Sequence, residues 1–219
     1  MNILTNDNKF ALWNNKALQF VVSEPPTPVD PYNPLGLPAN TVRVRTSDGE
    51  VPYKVSGAMN ATSYETATLV PGTSDVYDVY KSGTGFVNFL CNSTNVVEVL
   101  GANTTNIIMM DNMFKGCTSL TNVSLFDTSN NGDMSGMFDS CSSLTSIPLF
   151  DTSNVMDMRF TFYNCYNVQS GALALYNQVS TQTNHPSEYM GCFTNCGRDT
   201  VTGAAELAQI PSSWGGTGA

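Results

Sequence analysis

A chain of 219 residues can form one sizeable domain or a small domain joined to a larger one, and two units are expected. Only 12% of the residues are charged, with nine Lys and Arg against eighteen Asp and Glu, so no basic stripe can neutralise phosphates, and nucleic acids and anionic membranes are excluded as partners. Solubility then rests on neutral hydroxyls and amides, and the net charge of −9 is concentrated after residue 90, where ten acidic side chains stand against three basic ones.

Met1 to Val22 carries Asp7, Trp13, Asn14 and Asn15 within its apolar stretch. It lacks a basic n-region and a small-residue cleavage site, so it does not read as a signal peptide. No segment supplies about 18 uninterrupted apolar residues, so no membrane insertion is expected. Phe10-Ala-Leu-Trp13 and Lys16-Ala-Leu-Gln-Phe20, about Asn14-Asn15, read as two short strands around a tight turn. A lone hairpin is marginal in water, so residues 1–23 are expected to dock elsewhere as an anchor, through Phe10, Trp13 and Phe20. Residues 24–38 hold six prolines and read as an extended, poorly hydrogen-bonded linker. In residues 39–88, Val42 and Val44 alternate with Arg43 and Arg45, Ser47-Asp48-Gly49 makes a turn, and Asp75 to Tyr80 alternates again; a small antiparallel β unit is the simplest reading.

The remainder, residues 89–219, is governed by self-similarity. MFKGCTSLTNVSLFDTSNNGDM from Met113 and MFDSCSSLTSIPLFDTSNVMDM from Met137 align without a gap at a period of 24. The same offset links Phe114, Phe138 and Phe162; Cys117, Cys141 and Cys165; and Leu120, Leu144 and Val168. Leu90, Ser93 and Val96 occupy those columns in a degenerate first repeat. Phe193 and Cys196 renew the Phe-x-x-Cys pair 31 residues after Phe162, with seven residues inserted around Asn177 to Ser187, as suits an atypical capping repeat. Leu120-Val123-Leu125 and Leu144-Ile147-Leu149 have the apolar spacing of a leucine-rich-repeat strand, Asp-Thr-Ser-Asn supplies a turn, and the Met/Phe segment before each Cys would return as a helical turn or 3₁₀ element. Phe114, Phe138, Phe162, Cys117, Cys141, Cys165, Leu120 and Leu144 are thus the expected structural core of a mainly β fold with short helices. The expectation is a leucine-rich-repeat solenoid of 24-residue repeats, preceded by the small β unit and the N-terminal anchoring hairpin.

These residues resemble the BspA-type leucine-rich repeats, whose unit reads roughly Met-Phe-x-x-Cys-x-x-Leu-x-x-Ile-Pro-Leu-Phe-Asp-Thr-Ser-Asn-Val-x-x-Met, and Met137 to Met158 matches almost throughout. The resemblance covers about residues 90–219; Asn131-Gly132, where Asn-Val is expected, and the weak first repeat depart from it. The endings at 167–176 and 201–211 look like those of short repeat proteins encoded by bacteriophages and prophages. The resemblance implies surface display and adhesion, and it carries no catalytic residue, cofactor or metal.

The residues themselves agree with that on chemistry. No Gly-rich phosphate loop, His-Glu-x-x-His or Gly-x-Ser-x-Gly occurs, and one His, His185, leaves little acid–base capacity near neutral pH. The Cys column reads as buried thiols rather than a metal ladder, and Cys192 with Cys196 lacks a second ligand pair for zinc. Asp127 with Asp151, and Asp133 with Asp157, stack in columns that suit turn carboxylates, with calcium as the alternative. Tyr163, Tyr166, Tyr176 and Tyr189 are the candidate binding residues, since Tyr adds contact area at low entropic cost; core packing or capping is their other reading. The expected function is a bacteriophage virion accessory protein, a fibre, tip or decoration made in the host cytoplasm. Its N-terminal segment would join other virion proteins, its solenoid would bind a host-surface protein or glycan, and it would form a homo-oligomer within the particle. A bacterial or prophage-encoded adhesin or interaction protein is the alternative, and a carbohydrate-active enzyme using two carboxylates the third.

Overall fold

The computed structural model describes residues 3–4, 9–14, 17–22, 30–56 and 61–219. It is mainly β sheet with a few short helices, and no closed barrel occurs among the described residues. The chain divides into two compact units, Met1–Pro31 and Tyr32–Ala219.

In the first unit β1 (Ile3–Leu4), β2 (Lys9–Asn14) and β3 (Ala17–Val22) form an antiparallel sheet in that order. The expected hairpin is there, with Trp13 opposite Leu18 and Ala11 opposite Phe20, and a third, two-residue strand is added beside Phe10. Asn15, expected in the turn, and residues 24–29 of the linker lie outside the described residues.

The second unit begins with the rest of the expected linker, which is neither extended nor poorly bonded. Gly36 donates to the Asn33 carbonyl at 3.0 Å, and the Asn33 amide both donates to and accepts from the backbone of Leu37 at 3.0 and 2.8 Å. Prolines remove donors, but the Asn side chain supplies the missing bonds. Leu37 is buried, and the Leu35 and Leu37 side chains lie over Gly101.

Five strands follow: β4 (Thr41–Thr46), β5 (Thr66–Leu69), β6 (Val76–Tyr80), β7 (Val96–Asn103) and β8 (Asn122–Val123), in the order β5-β6-β4-β7-β8. All pair antiparallel except β7 with β8. The alternation read in the sequence sets the two faces of β4. Val42 and Val44 are fully buried, while Arg43 clamps Asp78 at 2.6 and 2.8 Å and Arg45 bridges Asp75 and Glu98 at 2.9 and 3.0 Å. The β unit of residues 39–88 therefore shares its sheet with β7 and β8, beyond residue 88, and one apolar core runs from Val42 to Trp214.

From Gly85 onward, segments 24 residues apart lie side by side. Single parallel bridges join Gly85 to Met109, Met109 to Asp133, Asp133 to Asp157 and, across the seven-residue insertion, Asp157 to Glu188. The backbone N–H groups of Phe86, Met110 and Met134 donate to the carbonyls of Met109, Asp133 and Asp157 at 2.8 to 2.9 Å. On the far side Thr145 donates to Thr121, and Gln169 to Thr145. Two positions in each copy are left-handed: Asn88, Asn112, Gly136, Phe160 and Gly191 form one column, and Asn92, Gly116, Ser140, Asn164 and Asn195 the other. Asn and Gly tolerate that conformation, which turns the Met/Phe segment sharply twice without a helix.

The expected strand at Leu120 to Leu125 shrinks to Asn122–Val123, and at Leu144 to Leu149 to a bridge between Ser146 and Ser170. Leu125 and Leu149 are exposed, and the neighbouring Phe126 and Phe150 are fully buried in their place. The alternation inverts before the aromatic, which the leucine-rich spacing alone does not reveal. In the last copies the chain forms α1 (Ala172–Ser180) and α2 (Val201–Leu207). Thr200 caps α2 by accepting from Gly203, and a single 3₁₀ turn, Ser212–Trp214, follows.

Candidate recognition face

The inward columns are repetitive. Phe114, Phe138, Phe162 and Phe193 stack with ring centroids 5.4 to 5.8 Å apart and planes within 14°, and Trp214 closes the row at 6.4 Å from Phe193. Cys117, Cys141 and Cys165 each donate from Sγ to the carbonyls of Leu90, Phe114 and Phe138, all at 3.1 Å. This recurring thiol bond gives the Cys column its physical reason. All six cysteines are unbridged and buried, and burial pushes the thiols of Cys117, Cys141, Cys165, Cys192 and Cys196 well above their ordinary range. Leu120 and Leu144 are fully buried beside them.

The carboxylate columns serve turns. Asp127 and Asp151 accept from the backbone N–H of Ser129 and Ser153, and Asp133 and Asp157 from those of Ser135 and Arg159, at 2.8 to 2.9 Å. Among the described residues no three His, Cys, Asp or Glu side chains gather as a metal would require.

The outward columns are varied where the inward ones are uniform. Beside the left-handed residues, one outward column reads Val87, Asp111, Ser135, Arg159 and Met190, and a second column, Cys91, Lys115, Asp139, Tyr163 and Thr194, is buried at Cys91 and Asp139 and half-buried at the others. Lys115 pairs with Asp139 at 2.6 Å, and Arg159 with Asp157 at 2.6 Å. Desolvation, with the charge of Asp133 second, raises the pKa of Asp111. Between these pairs lies a cleft of about 190 Å³ bordered by Asn112, Ser135, Gly136, Asp139, Arg159 and Phe160.

The four sequence-selected tyrosines fall into two pairs. Tyr176 and Tyr189 pack on Trp214, at centroid distances of 5.6 and 4.2 Å, and belong to the C-terminal cap. Tyr163 and Tyr166 are half-buried; Tyr163 meets Phe160 edge-on at 5.5 Å, and the Arg198 guanidinium lies 4.3 Å over the Tyr166 ring. Arg159, Phe160 and Met190 were missed, and 60% of Met190 is exposed. The signal for Phe160 was available: the 24-residue offset sets it in register with Asn112 and Gly136, residue types chosen for a backbone that an aromatic side chain rarely adopts. The anchor residues Phe10, Trp13 and Phe20 lie in the first unit, on strands β2 and β3.

Among the described residues no helix is long and apolar enough to cross a membrane. No curated protein and no solved structure matches the chain. A family model described as a Mycoplasma protein of unknown function, DUF285, matches residues 86–195, the stretch that holds the 24-residue repeats and the whole of the Phe114 to Phe193 row. That match takes in half of the 219 residues, and the chain belongs to the DUF285 family.

Proposed function

We propose that the repeats form a leucine-rich-repeat solenoid of 24-residue units, of BspA type, and that the protein is a non-enzymatic interaction module carried as a bacteriophage virion accessory protein. The observation that carries the interaction reading is the contrast between columns. Inward positions repeat the same Phe and Cys, and the inter-copy hydrogen bonds hold them in register. Outward positions change residue type at every step, from Asp111 to Ser135 to Arg159 to Met190. A fixed frame with a varied exterior is what a recognition surface needs, since rigid elements position side chains without further ordering cost.

The partner would be a host-surface protein or glycan. The first unit, a small three-stranded sheet, would join the protein to other virion components, supported by its being a compact unit of its own and by the weak stability of so small a sheet alone. Mass spectrometry of purified phage particles tests this: the protein is expected as a stoichiometric component, and its absence from particles would overturn the virion reading. A second reading, a bacterial or prophage-encoded adhesin or interaction protein, is favoured by the family's description as a Mycoplasma protein. Under that reading the protein is found on or bound to cells in the absence of particles.

A further inference from the structure

We propose that the cleft over Gly136 is a binding notch for a single neutral sugar ring of a host-surface glycan, an inference that rests on the interaction-module reading and names its ligand class. The Asn112 amide leans onto Gly136, where a Cβ would meet its Oδ1, and the Phe160 ring leans onto Gly191 of the next copy. The cleft is the space left between these two side chains beside Ser135, which is small. Phe160 borders the gap, 38% exposed, and Asp139, Arg159 and the Asn112 amide complete its rim.

Phe160 holds its ring there at a conformational cost. Its φ is 57°, in the region that L side chains with a bulky Cβ substituent avoid, and the equivalent positions are Asn88, Asn112, Gly136 and Gly191. The buried row is filled by Phe162, two residues on, and the Phe160 ring instead lies at the surface against Gly191 and the edge of Tyr163. Strain kept at a partly exposed aromatic beside a cleft is the pattern of a ligand contact.

The chemistry selects the ligand. Lys115 and Arg159 are each matched by a carboxylate, Asp139 and Asp157, so the rim offers paired charges and no net attraction for phosphate or an acidic sugar. Planar donors and acceptors beside an aromatic ring suit vicinal hydroxyls, with the apolar face of the sugar against Phe160. An extended peptide would instead need open backbone groups. Here the N–H groups of Asn112, Gly136 and Gly116 already donate to the carbonyls of Ser135, Arg159 and Asp139, so no strand can be added along this face. A volume of about 190 Å³ is below that of pockets for drug-sized ligands and fits one ring.

The test uses the full chain, with methyl glycosides of neutral hexoses and N-acetylhexosamines as probes, read by saturation-transfer NMR and titration. At least one probe is expected to bind, and Phe160→Asn, which removes the ring, and Gly136→Asn, whose Cβ would push the Asn112 amide off Gly136 into the cleft, should each weaken it about tenfold or more, as for loss of a central anchor. The Phe160→Asn unfolding midpoint should not fall, because Asn accepts the left-handed backbone; this separates lost binding from lost folding. Absence of binding by every probe, or binding that survives both substitutions, overturns the proposal. Capture of a host protein that both substitutions abolish would also overturn it, while leaving the interaction-module reading intact. That reading fails on its own evidence if the protein is found neither in particles nor on cells.

Discussion

At the scale of single residues, the inward columns expose one mismatch. Ile107, Asn131 and Val155 are 24 residues apart and all buried, and Asn131 Nδ2 has no hydrogen-bond partner. Its Oδ1 accepts only a 3.3 Å bond from the Asp133 N–H. Leaving a buried amide unsatisfied costs more than that weak bond returns, so Asn131→Val should raise stability by about 1–2 kcal/mol, measured by denaturant unfolding; a loss would show that the Asp133 turn depends on the amide. Phe138 lies between Phe114 and Phe162, and Phe138→Ala should cost about 3–5 kcal/mol. A cost under about 1 kcal/mol would place the Phe row outside the core. Asp111 gives a pH dependence. Its folded pKa is raised, chiefly by desolvation, so the folded state holds its proton more tightly than the unfolded chain does. The contribution to stability is therefore present below the unfolded value and is lost as pH rises through the folded one. Asp111→Asn should flatten the stability profile over that window; an unchanged profile would mean that the carboxyl stays hydrated.

At the scale of elements, the repeat was legible because every fourth or third inward residue recurs at one offset, and the Phe, Cys and Leu columns fell inside as expected. The alternation of Val42 and Val44 with Arg43 and Arg45 likewise gave β4, with its buried and salt-bridged faces. What escaped depended on long-range packing. Leu125 and Leu149 satisfy the apolar spacing yet face outward, because Phe126 and Phe150 are the larger apolar groups and take the interior, 5.2 Å apart. Helix α1 takes the place of the Asp-Thr-Ser-Asn turn in the copy after Val168, and its buried residues Ala172, Leu175 and Val179 follow a helical rather than an alternating period. At the candidate site the half-buried pair of the tyrosine set, Tyr163 and Tyr166, was visible as composition, whereas Arg159 and Phe160 required the backbone column to be recognised first. The cap makes its own prediction. A methyl group on Gly203 would overlap the Val168 carbonyl oxygen and crowd the Gly197 carbonyl. The gain in helix propensity cannot offset a backbone clash, so Gly203→Ala should destabilise by about 1–3 kcal/mol in thermal or denaturant unfolding. A stabilised variant would mean that α2 packs less closely on the repeats.

At the scale of the whole molecule, the two units make truncation informative. A chain beginning at Tyr32 keeps the Asn33 turn and the Leu35 and Leu37 contacts over Gly101, so it should unfold cooperatively with the midpoint of the full protein. It should be missing from phage particles if the three-stranded sheet is the attachment; incorporation at the full level would reject that role. In the proposed solenoid, successive 24-residue segments are interchangeable turns, each satisfying its neighbours' hydrogen bonds. Removing Met113–Gly136 deletes one period and joins Asn112 to Met137, which brings Phe138 and Cys141 into the places of Phe114 and Cys117. The shorter deletion Met113–Gly132 removes less of the protein but throws every later column out of register. Denaturant unfolding of the two deletion proteins is the most direct measurement: the first should remain soluble with a single cooperative transition, and the second should lose it. If both unfold alike, or the shorter deletion is the better tolerated, the repeats are not turns of a solenoid.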